Sequence, residues 1–335
     1  MTADNAALPT VVVFTTGGTI ASRPDPVTGG VRPSVSGAEL VAGVPGLAEI
    51  ARVEVVSVAN VLGPALGPGD LFDLARQASR ALARDDVAGA VVTAGTGIIE
   101  EGSYLCDLLV QSDKPLVWTG AQFSADMWDT DGPRNLLNAV RVAISPDARG
   151  LGTVVCFNQE INAARDVVKL HKTNLSTFTS LDLGILGRVD EDRVVIARRP
   201  ALRKIYAATK IETNVDLIKL VAGSDDRFFK ASLDAGAAGI VVEAFPGVGI
   251  IAPGALSGIT AARDCGVPVV LATRSPEGRT APKYGGGIGA RDLVPLGVIL
   301  AGDLAAVKAR ILLMVLLGLT RDNAKLREFF AEAAP

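Results

Sequence analysis

A chain of 335 residues, 49% hydrophobic and 21% charged, is long enough to bury about two domain cores. Its net charge of −3 and pI near 5.4 argue against a nucleic-acid or anionic-membrane partner, either of which favours a basic face. Three cysteines, Cys106, Cys156 and Cys265, stand far apart in apolar surroundings, as expected of reduced structural thiols in the cytosol. The opening residues, MTADNAALPT, lack the basic segment and apolar core of a signal peptide. Apolar runs such as GIVVEAF fall short of the ~20 residues that span a bilayer. The expectation is a cytoplasmic protein with no membrane partner.

In chain order, TVVVFTTGG, VEVVSVANV, AGAVVTAGTG, PLVWTGAQ and GTVVCFNQ read as buried parallel strands. Between them, LFDLARQASRALARDD and GPRNLLNAVRVAISPD carry apolar residues at helical spacing. This alternation predicts an α/β domain with a parallel, doubly wound sheet covered by helices on both faces. From Leu186 to Lys210 the pattern thins into a charged stretch, and residues 188–209 read as a linker. The alternation resumes in IKLVAG, AAGIVVEAF and VPVVLATRS and ends in the helical AVKARILLMVLLGLT. The expected organisation is an N-terminal α/β domain over residues 8–187 and a smaller C-terminal α/β domain over 210–335.

Three segments carry chemistry-bearing residues at strand ends, where α/β folds place their sites. TTGGTIASRP, residues 15–24, joins two glycines to three threonines in a tight turn; its ordinary reading is a strand-to-loop connection. It is no P-loop, since the spacing and the lysine of that motif are absent. VVTAGTGIIEEGSY, residues 91–104, has a small-residue turn before a helix. Its ordinary reading is a helix start, with Thr96 as cap and Glu100 and Glu101 in the first turn. NAARDVVKLHKTNLSTF, residues 162–178, holds lysines that are ordinarily solvated surface.

Taken together, these segments resemble the bacterial L-asparaginase/glutaminase family of amidohydrolases. TTGGTIAS matches the family's first signature, which carries a nucleophilic threonine. VVTAGTGIIEE stands where the family has a His-Gly-Thr-Asp-Thr run. WTGAQFSADMWDTDGPRNLLNAV matches a third block, and ARDVVKLHKTN the block that supplies the catalytic lysine. ATRSPEGRTAPKYGGGIGARDLVPLGVILAGDLAAVKARILLM follows the family pattern near the C-terminus, so the resemblance covers nearly the whole chain. It implies the two-domain asparaginase-like fold, no cofactor or metal, a small-molecule substrate, and a homodimer or homotetramer with sites near subunit interfaces. It makes Thr19 the best candidate nucleophile and Thr96 with Lys169 the proton-handling pair, Lys169 as base and Thr96 as relay or second nucleophile, with Gly18, Gly63, Gly95, Gly97, Ala121 and Ile250 around the substrate.

Several of those positions depart from the family. Its carboxylate partner for the lysine falls on Gly97, its motif histidine on Ala94, a carboxylate-binding serine near Gly63, and a neighbouring subunit's asparagine near Ile250. The tyrosine of its mobile loop has no counterpart in DPVTGGVRP. Most of the lost groups hold the charged ends of asparagine, so the expected activity is hydrolysis of a small amide, ester or lactone rather than efficient asparagine turnover. Asp126 and Asp129 are candidates to replace the missing carboxylate. The alternative is a catalytically silent member that binds a ligand or partner.

Other classes fit less well. G-x-G-x-x-A at residues 247–252 is a variant dinucleotide fingerprint, but the next strand ends in Arg274 without the acid that binds a ribose. The related transamidation subunit would need an additional N-terminal domain. The sole histidine, His171, reads as a surface or partly buried residue. One histidine and scattered cysteines make neither a Ser-His-Asp triad nor an ordinary zinc site. Asp131, before Gly-Pro, reads as a helix-start turn.

Overall fold

The computed structural model describes residues 8–334, so seven of the ten residues behind the signal-peptide reading lie outside it. The chain forms two compact units, divided between Ile205 and Tyr206.

The first unit is built on an eight-stranded sheet in the order Arg193–Ile196, Gly187–Asp190, Glu160–Ala163, Thr153–Phe157, Leu116–Thr119, Val87–Thr93, Thr10–Gly17, Arg52–Val61. The five strands from Thr153–Phe157 to Arg52–Val61 run parallel, and the other three are added antiparallel. Every residue of Thr10–Gly17 is buried, which is why this segment reads as a continuous β-branched run rather than an alternating one. The Pro68–Leu82 helix buries Leu71, Leu74, Ala75, Ala78 and Leu82, one stripe at helical spacing. The Gly132–Ile144 helix does the same with Leu136, Ala139, Val140 and Ala143, and opens with a proline at its start. Val11, Val13, Val91, Val117 and Val154 from the strands meet that helix in one core.

Residues 188–209 do more than link. Gly187–Asp190 and Arg193–Ile196 form a hairpin on the sheet edge, with one face buried and the charged side chains on the other. The arginines beyond it bind back onto the first unit. Arg199 donates to the carbonyls of Arg149 and Asp147, and Arg203 Nε lies 2.9 Å from the buried Asp107 carboxylate. The stretch is charged because it is an edge and a strap, a pattern that composition alone cannot separate from a linker. Cys106 and Cys156 are buried, and burial pushes both thiols up to about 12. Cys265 is exposed, in contrast to its apolar sequence surroundings, because it follows the last turn of a surface helix.

The second unit is a four-stranded parallel sheet, Val215–Lys219, Gly239–Ala244, Val269–Thr273, Ile299–Leu300. Phe229, Ile240, Val242, Ile259 and Leu271 form its core. The fold is thus the expected two-domain α/β arrangement, with the larger sheet in the N-terminal unit.

Candidate active site

Thr10–Gly17 and Val87–Thr93 are neighbours, so their C-terminal ends lie side by side, and the Thr16 hydroxyl donates to the Thr93 carbonyl at 3.0 Å. Beyond them the chain makes two glycine turns that touch. Gly18, at φ +77°, approaches so closely that a Cβ there would overlap the Gly95 backbone. A Cβ on Gly95 would stand 2.9 Å from the Gly63 nitrogen. Three backbones share a space that admits no side chains, and this contact holds the residues following Gly18 and Gly95 at one end of the sheet.

Thr19 begins the short turn Thr19–Ala21, closed by Ala21 N–H donating to the Gly18 carbonyl at 3.0 Å. It is half-buried, and among the described residues its hydroxyl has no hydrogen-bond partner. Thr96 does not cap the following helix. The Ile99–Leu109 helix is preceded by Ile98 and has no side-chain cap, although Glu100 and Glu101 do occupy its first turn. The Thr96 hydroxyl is used elsewhere: Lys169 Nζ lies 2.6 Å from its Oγ1.

Lys169 is not solvated surface. Val168–Lys169 pairs antiparallel with Phe178–Thr179, and Phe178 is anchored by an edge-on contact with Phe157 at 5.0 Å between ring centroids. The Lys169 backbone N–H donates to Glu100 Oε1 at 2.9 Å, tying this segment to the helix that follows Thr96. Burial holds the Lys169 ammonium below the usual lysine range, partly opposed by the Glu100 charge. His171 is exposed and its Nδ1 accepts from the Thr173 and Asn174 backbones at 3.0 and 2.8 Å, so it shapes the turn after Lys169.

The remaining partner of Lys169 is a residue that sequence reasoning missed. Gln122 Oε1 lies 3.1 Å from Lys169 Nζ and accepts from the Thr96 hydroxyl at 3.3 Å. Its Nε2 donates to the carbonyls of Lys172 and Asn174, at 3.3 and 3.1 Å, so the amide can face only this way. Asp131 holds the Gln122 backbone, accepting from its N–H at 3.0 Å and from that of Phe123 at 2.9 Å, as well as from Asn135. The only sequence signal for Gln122 was its place in the WTGAQFSADMWDTDGPRNLLNAV block, and a neutral amide is not a residue type that announces catalysis.

Asp126 and Asp129 are exposed, and neither meets Lys169; Asp126 accepts from the Ser124 hydroxyl at 2.6 Å. Gly97 is exposed, and a Cβ there would meet nothing within 4 Å. Gly63, Gly95 and Ala121 are buried. Ile250 belongs to the second unit, where it bridges to Gly289. Among the described residues no three His, Cys, Asp or Glu side chains gather as a metal ligand set, and no helix is long and apolar enough to cross a membrane. Arg274, on the strand end beyond the glycine motif at 247–252, stacks its guanidinium over the Phe245 ring at 5.0 Å from the centroid.

Comparison with known proteins bears on the chain and its two-domain fold as a whole. Residues 10–202 match the family model for the asparaginase N-terminal domain, and residues 214–330 match that for the glutaminase/asparaginase C-terminal domain. The chain is 34% identical to an L-asparaginase of Bacillus licheniformis, covering 94% of this chain and 97% of that protein. It is also 34% identical to L-asparaginase 2 of Bacillus subtilis, over 97% of this chain and 87% of that one. A crystal structure of a probable cytoplasmic L-asparaginase from Campylobacter jejuni superposes with a TM-score of 0.86 at 28% identity, covering 96% and 99% of the two chains. With both domains matched and relatives aligned over almost the full length, the chain belongs to the asparaginase family of amidohydrolases.

Proposed function

We propose that this protein hydrolyses a small amide with Thr19 as nucleophile and Lys169, acting with Thr96, as the base. The observation that carries the reading is the 2.6 Å contact between Lys169 Nζ and Thr96 Oγ1 beside the Gly18–Gly95 contact. A threonine hydroxyl is a weak nucleophile and needs a neighbouring base. Lysine is a base only when neutral, and burial favours that form. Lys169 takes the hydroxyl proton as Thr19 Oγ1 attacks the carbonyl carbon. Collapse of the tetrahedral adduct expels the amine, which leaves with that proton. Water then cleaves the threonyl ester and restores both groups. Thr96 relays the proton or, in the second step, orients the water. Backbone N–H groups of the two glycine turns supply donors for the oxyanion.

The names of the relatives support amide hydrolysis, with L-asparagine as the reference substrate. The open space at Gly97, where the family has a carboxylate, supports a shift towards a small amide, ester or lactone that is not a free α-amino acid. A site that lacks partners for a charged substrate group loses roughly 10⁴ in discrimination. The neighbour's designation as cytoplasmic supports a cytoplasmic location, and the resemblance to the family implies a homodimer or homotetramer. The test is a turnover panel of L-asparagine, L-glutamine, uncharged amides, aryl esters and small lactones on wild type and Thr19→Ala. Turnover confined to the non-amino-acid substrates and abolished by Thr19→Ala supports the reading. Efficient asparagine turnover overturns the substrate shift, and inactivity on every substrate favours a binding protein.

A further inference from the structure

The missing carboxylate leaves a lysine that must still be aimed. We infer that Gln122 is the positioning residue of the base, an uncharged acceptor that orients Lys169 towards Thr96 where a carboxylate would instead stabilise its charged form. The inference rests on the reading of Lys169 as the base. Gln122 Oε1 is 3.1 Å from Lys169 Nζ and 3.3 Å from Thr96 Oγ1, so the three atoms form one triangle. The contact works in both protonation states. Charged Lys169 donates to Gln122 and to Thr96. Neutral Lys169 keeps one N–H on Gln122 Oε1 and turns its lone pair to the Thr96 hydroxyl, which then donates to it. The amide cannot flip to offer its NH₂ group to the lysine, because Nε2 is committed to two carbonyls and Asp131 fixes the backbone behind it.

An amide and a carboxylate differ here in charge more than in geometry. The titratable groups near Lys169 include Glu100 on the Ile99–Leu109 helix, His171 and Lys172 on its own segment, and Asp131 behind the Gln122 backbone, with Asp126 and Asp129 exposed further along that loop. Of these, Glu100 acts on Lys169 directly and opposes the effect of burial. A second carboxylate at the Gln122 position would add to it, and the base would stay charged to higher pH.

The test compares wild type with Gln122→Glu and Gln122→Met by two measurements. One is the titration of the Lys169 side chain by ¹³C NMR on lysine-labelled protein, assigned with Lys169→Met. The other is the pH profile of kcat on a small aryl ester. Gln122→Glu is expected to raise the Lys169 midpoint and, with it, the acid-side limb on which kcat rises with pH, by about one pH unit or more. Gln122→Met, similar in size and without an acceptor oxygen, is expected to cut kcat about tenfold or more while KM changes little. Unchanged midpoints and profiles in both variants would overturn the inference, as would full kcat in Gln122→Met. If Lys169→Met keeps wild-type turnover while the NMR midpoint still responds to Gln122, Lys169 is not the base and the inference falls with that assignment, although the contact itself stands.

Discussion

Lys169 Nζ lies 2.6 Å from Thr96 Oγ1 although 73 residues separate them, and its backbone is fixed by Glu100, four residues beyond that threonine. One helix start therefore sets both ends of the contact: the hydroxyl through the turn before it, and the lysine through the carboxylate in its first turn. Lys169→Met should lower kcat by roughly 10²–10⁴, the range of general base catalysis, with a small effect on melting temperature. Thr96→Val should lose a comparable amount. Steady-state kinetics beside thermal unfolding separate this from a folding defect.

Glu100 raises the pKa that burial lowers. Glu100→Gln keeps an acceptor for the Lys169 backbone and removes the charge, so the midpoint of Lys169 should fall further. Because the neutral lysine is the base, the acid-side limb, where activity rises with pH, should move to lower pH, by roughly 0.5–1 unit. An upward movement in the pH profile of kcat/KM would contradict the assignment.

Gly18 and Gly97 should respond oppositely to substitution. At Gly18 an added methyl meets the Gly95 backbone and the residue sits at φ +77°, so Gly18→Ala should cost about 3 kcal/mol or more and separate the two turns. At Gly97 the space is open, so Gly97→Ala should stay within about 0.5 kcal/mol of wild type. Gly97→Asp, equally tolerated, should raise L-asparagine turnover relative to uncharged amides. Chemical denaturation and the ratio of the two kcat/KM values check these outcomes.

Asp107 is buried with Arg203 as its ion-pair partner, and it accepts the Thr153 backbone N–H at 2.9 Å. Arg203→Met leaves that carboxylate buried without its cation, at a cost of about 3–5 kcal/mol. Burial already pushes the Asp107 carboxyl up, and loss of the guanidinium pushes it further. The folded state then holds a proton that the unfolded state releases, so the variant's stability should fall as pH rises from the carboxylate range towards neutrality. Denaturation midpoints at several pH values measure the slope.

Much of this architecture was legible because buried parallel strands and amphipathic helices write their periods into the chain. TVVVFTTGG and LFDLARQASRALARDD needed no tertiary information to be read. The edge hairpin at 187–196 was not legible, since its exposed face looks like a linker and its pairing partners lie far off in sequence. The glycines at 18, 63 and 95 were visible as residues, but not the fact that they meet one another. Lys169 gains its meaning only from the Phe178 pairing and from Glu100, neither of which local sequence reports. Gln122 was invisible because its role depends on two carbonyls around residue 173 that fix the direction of its amide.

The central claim, that Thr19 carries the acyl group, is tested most directly by trapping it. Wild-type protein mixed with a small activated aryl ester and quenched within one turnover should show the acyl mass on the tryptic peptide containing Thr19. Thr19→Ala should show neither the adduct nor turnover. An acyl group on Thr96, or turnover that persists in Thr19→Ala, would contradict the account.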